Sequence, residues 1–380
     1  MTDIATAHER EHGVPPDVVV SAPGVVTLMG ADTEFSDGLA LGMATERRMQ
    51  VAVSARPDNS LRFFSVSRNE RKKTTIAGLR FRREDRWANH LKGVLIALAR
   101  VGCPLKGTSI TVDGNVPAGI GLGCSTAVGL AAAVAVQKLR EFDLSVLQLV
   151  RAARNAEVEF LGNPNGLLDF FVSYYAAPNS VVYIDARTLE YTQIPLQLNG
   201  ARFHITDVQI PVFPEDVEVL DRAQEMSDCV QALGNGKAGC ALRDFSVDDL
   251  NEAMGSYAES VRRHCLHIVA EIKRVRESAH ALRRQDPERL GKLMLRSHGS
   301  LRDLYEASYP ELDWLVKRSG ETEGVFGAKM LGNPQSFSSL VLLDEGAETA
   351  YTRRLEEYER IFGLTPDTFS CTPSQGVLIH

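Results

Sequence analysis

The chain has 380 residues, 44% of them hydrophobic and 24% charged, with a formal net charge of −7. That length exceeds what one small core requires and predicts two packed lobes or one large α/β unit. The acidic balance argues against a nucleic-acid surface, which shows as a basic excess, and local runs such as Arg71–Lys73 and Arg82–Arg83 read as solvated faces.

In chain order, a polar arm ends at Pro15-Pro16. The segment Val18–Met29 then predicts two short strands separated at Pro23-Gly24. Further β-type sequence follows at Met49–Ser54 and Leu61–Val66. Trp87, Leu91, Val94, Leu95 and Leu98 fall at helical spacing and predict a helix over Trp87–Val101. Ser109–Val112 is β-like, and a glycine loop from Val116 leads into an alanine-rich helix. From about Asp248 to Val316 the pattern is helical, with turns near Gln285-Asp286-Pro287 and Tyr309-Pro310. A strand at Phe337–Leu343 precedes an amphipathic helix from about Ala347 to Phe362. No repeat or low-complexity linker divides the chain, which predicts one extensive interface between the lobes.

The six cysteines form no Cys-x-x-Cys pair and no His/Cys cluster with zinc spacing. His264 and His267 read as helix-surface histidines. The first fifteen residues carry charge where a signal peptide needs an apolar run, and the apolar stretch Ala127–Val136 is about half a membrane span. The expectation is a cytoplasmic, reduced protein with no membrane or nucleic-acid partner.

Val116-Pro-Ala-Gly-Ile-Gly-Leu-Gly-Cys-Ser-Thr-Ala127 carries the strongest chemical signal. Alternate glycines at 119, 121 and 123 let the backbone approach a ligand and aim several N–H groups at one place. The helix that follows offers free amides and a partial positive charge to an anion. Ser125 is placed to cap that helix or to ligate magnesium. The string is neither a Walker loop nor a dinucleotide fingerprint. Phosphate binding and a plain tight turn with a capped helix are both open on the loop alone.

The Pro-x-Gly-x-Gly-Leu-Gly-Cys-Ser-Thr-Ala string resembles the second motif of GHMP kinases. Other segments are similar to galactokinases in particular: Ala22–Gly38, Trp87–Val94, the stretch from Ala156-Glu157 to Gly166-Leu-Leu-Asp169, Ser297–Asp313, and Pro373-Ser-Gln-Gly376. The resemblance covers nearly the whole chain from about Val18. It implies an α+β, two-lobed fold, with an N-terminal lobe of ribosomal-S5-like topology, a C-terminal α+β lobe, and a cleft between them. Residues 17–200 and 201–380 would form the lobes behind an arm at 1–16. It also implies ATP and Mg²⁺, with Trp87, Gly119, Gly121, Leu122, Gly123, Cys124 and Ser125 at the nucleotide. Ser125 and Glu157 would hold the metal. Asp169 would be the catalytic carboxylate beside a small hydroxylated metabolite.

The family pattern fails at several points. The usual catalytic arginine is Val25, which offers no charge to the transition state or to Asp169. Family glutamate, histidine and aspartate positions at the sugar are Ala31, Asp32 and Glu34, and a family tyrosine aligns on Arg222. With Gly166 and Asp169, these are the implied substrate-binding positions. In the third motif, Gly327-Ala-Lys-Met-Leu-Gly332 matches, but Asn333 to Phe337 replace a glycine run, and Pro334 fixes φ where glycines are free. Two expectations follow. One is a small-molecule kinase of galactokinase type whose substrate is not galactose; the other is a catalytically impaired ligand-binding or regulatory protein on the same scaffold.

Overall fold

The computed structural model describes residues 3–163, 165–211, 222–233, 240–252, 255, 258–331 and 337–380. Helix α1 (Ile4–His12) precedes strands β1 (Val18–Met29), β2 (Leu39–Ala55), β3 (Ser60–Ser65) and β4 (Glu70–Thr75). Helix α2 (Ala88–Arg100), strand β5 (Thr108–Gly114) and helices α3 (Cys124–Leu139) and α4 (Val146–Asn155) follow. A π-helical turn over Ala156–Leu161 extends α4. Next come helix α5 (Leu168–Tyr175) and strands β6 (Ser180–Asp185), β7 (Tyr191–Pro195) and β8 (Ala201–Asp207). The remainder comprises helices α6 (Arg222–Leu233), α7 (Val247–Glu252), α8 (Glu259–Arg283), α9 (Pro287–Asp303) and α10 (Pro310–Gly320). After them come strands β9 (Val325–Met330) and β10 (Ser338–Asp344), helix α11 (Glu348–Phe362), and strands β11 (Asp367–Cys371) and β12 (Leu378–Ile379).

Among the described residues the strands form two sheets. The larger runs β12-β1-β2-β5-β3-β4, with β6 on β2 and β7 on β6; the smaller runs β11-β8-β10-β9. All pairs are antiparallel except β3 with β5. The large sheet places its apolar residues on both faces. Val20, Ala22 and Val51 pack with the helices α2 to α5, while Val26, Leu28, Leu41 and Met43 pack with α8 and the second lobe. Helix α8 earns that contact through an unbroken stripe, Cys265, Ile268, Ile272, Val275, Ala279 and Leu282, at alternating spacings of three and four. The lobes therefore share one apolar core.

Four expectations change. Val18–Met29 is one strand, not two, because a register shift between Pro23 and Val25 absorbs the proline that cannot donate to the ladder. β2 begins at Leu39, well before Met49; its polar middle around Glu46 hides the continuity. The arm contains α1, held to the sheet by His8, whose Nδ1 meets Thr111 Oγ1 at 2.9 Å and whose Nε2 meets Ser54 Oγ at 2.9 Å. His264 and His267 are buried rather than on a helix surface, and His267 Nδ1 bonds Ser300 Oγ at 2.8 Å. The expected boundary at 200/201 falls just before β8, and β12 returns from the second lobe to pair with β1. Among the described residues no helix is long and apolar enough to cross a membrane, and no disulfide joins any of the six cysteines.

Candidate active site

A cleft of 1070 Å³ is lined, among the described residues, by Thr27 to Val172 of the first lobe. At one end is the glycine loop. Gly119, Gly121 and Gly123 have φ of 84°, 76° and 60°, in the left-handed region that side chains oppose. Their conformation turns the chain into α3, which has Gly123 as its N-cap and no side-chain cap bond. Ser125 thus does not cap α3, contrary to one of its two expected roles, and the first amides of α3 are left for another acceptor. Two elements fix the loop from behind. Val25 N–H donates to Leu122 O at 3.0 Å, and Ser338 Oγ of β10 donates to Ile120 O at 2.6 Å. Gly24 allows the first contact, since a Cβ there would lie 2.9 Å from Leu122 O.

Glu157, on the π-helical turn, is buried behind this end. Its Oε2 accepts from the Asn165 amide, and its Oε1 is buried without a hydrogen bond of ordinary geometry. Burial raises its pKa, while the nearby Ser125 hydroxyl and Asn165 amide favour the charged form.

The opposite end is acidic. After Gly30 the chain makes a tight turn through Asp32 (φ 60°) into a short 3-10 turn, Thr33–Ser36. Thr33 holds that turn by donating to Leu39 O at 2.7 Å. Glu34 Oε2 accepts the backbone N–H groups of Leu167 at 2.5 Å and Leu168 at 3.2 Å, at the start of α5. Gly166 has no room for a side chain; its Cβ would sit 1.5 Å from Glu34 Oε1. Asp169, in the first turn of α5, accepts from Thr27 Oγ1 at 3.2 Å. Tyr305 Oη donates to Asp32 Oδ2 at 2.8 Å.

These carboxylates lift one another's proton affinity. Burial first, then the charges of Asp169 and Asp32, push Glu34 up to about 7 against the pull of its backbone donors. Burial and Asp32 raise Asp169 to about 6, against the Thr27 hydroxyl.

The acidic turn is anchored to the second lobe. Glu271 Oε1 on α8 accepts from Gly30 N–H at 3.1 Å and from Ser297 Oγ at 2.9 Å, while Arg274 Nε donates to its Oε2 at 2.6 Å. Burial would raise Glu271, but Arg274, His267 and Lys329 outweigh it and hold the carboxyl at about 2. His267 stacks on Tyr305 with ring centroids 4.7 Å apart, steadying the tyrosine that reaches Asp32.

Most of the residues expected at the site line this one cleft: Trp87 and Gly119, Gly121 to Ser125 at the glycine-loop end, and Ala31, Asp32, Glu34, Gly166 and Asp169 at the other. Trp87 Nε1 donates to Glu70 Oε2 at 2.9 Å. Val25 is not among the lining residues; its side chain is buried at 2% exposure, in the core behind the loop. Arg222 begins α6, and its side chain lies outside the described residues, as do positions 332–336 of the third motif. Sequence reasoning missed Thr27, Tyr305, Glu271 and two cleft arginines, Arg68 and Arg86. Thr27 was legible in principle, two positions beyond Val25 on the same strand.

Family models match three stretches of the chain: the GHMP kinases N terminal domain at residues 89–177, the galactokinase galactose-binding signature at 6–55, and the GHMP kinases C terminal domain at 278–333. The galactokinase of Thermotoga petrophila is 32% identical over 359 residues, 94% of this chain and 99% of the relative. The chain belongs to the galactokinase family of GHMP kinases. A galactokinase of Roseiflexus sp. is 30% identical over 99% of this chain and 97% of its own length. In fold, the chain is similar to Lactococcus lactis galactokinase crystallised with galactose, with a TM-score of 0.92 at 21% identity and 98% coverage of both chains. A mevalonate kinase is similar at a TM-score of 0.64 and 16% identity, over 94% of this chain and 99% of that one. The α+β GHMP fold expected from the motifs is therefore the fold of this protein.

Proposed function

We propose that the protein transfers the terminal phosphoryl group of ATP to a hydroxyl of a small sugar-like molecule, and that this molecule is not galactose. The observation that carries the reading is the opposition, within one cleft, of an uncapped helix N-terminus behind a glycine loop and a carboxylate, Asp169, whose proton affinity is raised. A carboxyl at about 6 is mostly ionised at neutral pH yet basic enough to take a hydroxyl proton as the oxygen is phosphorylated. The loop amides and the α3 N-terminus receive the phosphates, a job that consists mostly of positioning and charge neutralisation. Ser125 and the unpaired Oε1 of Glu157 are hard oxygen donors that fit Mg²⁺. When bound there, the ion would neutralise phosphate charge. Thr27 keeps Asp169 oriented, and Glu271 keeps the acidic turn in register with the second lobe.

The case against galactose rests on Ala31, Asp32 and Glu34, which stand where the family pattern has glutamate, histidine and aspartate. A site built for one set of hydrogen bonds rejects a ligand lacking their partners by large factors. One observation favours a second reading, a ligand-binding protein without turnover. Val25 puts an alkyl group in the core where the family pattern has the catalytic arginine. ADP release with ATP, Mg²⁺ and a panel of hydroxylated metabolites separates the two. Turnover of some acceptor supports the kinase; ATP binding without turnover of any supports the binding protein; ordinary turnover of galactose refutes the altered specificity.

A further inference from the structure

Among the described lining residues the cleft is built from the first lobe, yet both of its ends lean on the second. At the glycine loop, Ser338 Oγ donates to Ile120 O at 2.6 Å. At the acidic end, Glu271 Oε1 accepts from Gly30 N–H at 3.1 Å. Gly30 has a φ of 91°, and a Cβ there would lie 2.4 Å from Leu39 O, so the start of the turn is fixed in shape. Inside the second lobe a run of hydrogen bonds joins these two supports. Ser338 O accepts from Leu331 N–H, just past β9, at 2.9 Å. β9 is the last strand of the small sheet, and the neighbouring Met330 N–H leaves it to donate to Nδ1 of His298, on α9, at 3.2 Å. The residue before His298, Ser297, donates from Oγ to the same Glu271 Oε1 at 2.9 Å.

The run is stiff. Ser338, Leu331, Met330, His298, Ser297 and Glu271 are all 3% exposed or less. α9 and β9 touch backbone to backbone: a Cβ on Gly291 would lie 2.1 Å from Phe326 O, and one on Gly327 2.1 Å from Gly291 O. Met330 sets the tautomer of His298, because a ring nitrogen that accepts an N–H carries no proton, and the other nitrogen, Nε2, lies 3.1 Å from Asp313 Oδ1. Close-packed interiors of this kind transmit displacement instead of absorbing it. A rival route runs within the first lobe, where β1 bonds the loop through Val25 N–H and continues to Met29. Its ladder is broken by a register shift between Thr27 and Met29, directly ahead of the turn, so its grip ends where that of Glu271 begins.

We propose that Ser297 and His298 are positioning residues for the transfer: they tie the place of the phosphate loop to that of the acidic turn through the second lobe. The inference rests on the phosphotransferase reading above and adds how the two ends are kept at working distance. Reacting atoms must come within about 3–3.5 Å of each other, and a displacement of about 1 Å costs on the order of a hundredfold in rate. The Ser297-His298 pair, which the cleft itself does not use, thereby acts on the reaction from behind.

The test is hydrogen exchange of the full chain, read by mass spectrometry on peptides covering residues 29–38, with and without Mg²⁺ and a non-hydrolysable ATP analogue. In the wild type the analogue should slow exchange in the turn about tenfold. Ser297→Ala and His298→Leu should each cut that slowing to less than about twofold. Calorimetry should give both variants an affinity for the analogue within about threefold of wild type, which also reports that they are folded. His298→Asn, whose side-chain oxygen can accept the Met330 N–H in place of Nδ1, should keep most of the slowing. Ser297→Ala removes a single oxygen and decides the matter alone if the leucine variant does not fold. Slowing that persists in full in Ser297→Ala or in folded His298→Leu means that the turn senses the nucleotide through β1 or across the cleft, and overturns the inference. A wild-type turn that ignores a bound analogue overturns it as well. Equal losses in His298→Leu and His298→Asn make His298 a packing residue and overturn its assignment. Failure of the wild-type protein to bind the analogue overturns the phosphotransferase reading itself.

Discussion

The two ends of the cleft present different parts of the polypeptide. At the glycine loop the contacts on offer are backbone amides, held by glycine conformations and by buried bonds from Val25 and Ser338. At the acidic end they are side chains: Asp32 accepts from Tyr305, Glu34 from two backbone amides and Asp169 from Thr27. A backbone site tolerates replacement of its side chains. A side-chain site changes its ligand with each substitution. On the proposed reading, that difference would let one chain keep the phosphate motif of its family while its contacts to the acceptor change.

Substitutions at each end sharpen this contrast. The largest effect is expected from Asp169→Asn, which removes the proton acceptor. Turnover should fall by about 10²–10⁴-fold with the affinity for nucleotide nearly unchanged, and undiminished turnover would show that Asp169 takes no proton. Next is Gly121→Val. At a φ of 76° a β-branched residue costs about 1–3 kcal/mol, so the loop should lose roughly ten- to a hundredfold in ATP-analogue affinity. Equal affinity would mean that the loop is not the phosphate site.

A third experiment concerns stability against pH. Glu34 and Asp169 have raised carboxyl pKa values, about 7 and about 6, so the native state favours their protonated forms. Their contribution to stability is present below the ordinary carboxylate range and is lost as pH rises towards 7. His8 and His12 run the other way. Burial lowers both to about 4, so their contribution is present above 6.5 and is lost as pH falls through 4. Glu34→Gln should therefore match the wild type near pH 4 and exceed it at pH 8 by about 3 kcal/mol, read from urea unfolding of the ligand-free protein. A gap independent of pH would mean that Glu34 is not strained by ionisation. The smallest effect belongs to Thr27→Val, which removes one neutral donor from Asp169, worth about 1 kcal/mol. The acid limb of the pH–rate profile should move up by somewhat less than one unit; a downward move would contradict the bond to Thr27.

The backbone end was legible in the sequence because its information is local. Three alternate glycines and a helix start lie within a dozen residues, and the structure gives all three glycines the left-handed conformation. The acceptor end was legible only as a set of positions. Its partners come from remote elements: Tyr305 and Glu271 from α9's C-terminal side and from α8, and Leu167 from the approach to α5. No spacing rule links Asp32 to Tyr305. The same limit applied to the fold. Helices with a clear apolar stripe, α2, α8 and α11, were readable, whereas Pro23 and the polar centre of β2 masked strands that only pairing with distant neighbours sustains.

The order of the small sheet bears on how the molecule comes off the ribosome. β8 ends at Asp207, yet its two neighbours, β10 and β11, begin only at Ser338 and Asp367. Except for β12, the strands of the large sheet are all complete by Pro195, so that sheet can pair during synthesis. β8 meanwhile waits with both edges open and with Phe203 and Ile205 unburied, a segment apt to pair with other chains. Yield of soluble protein should thus depend on elongation speed and on chaperones between the emergence of β8 and that of β10, more than on the final stability of either lobe.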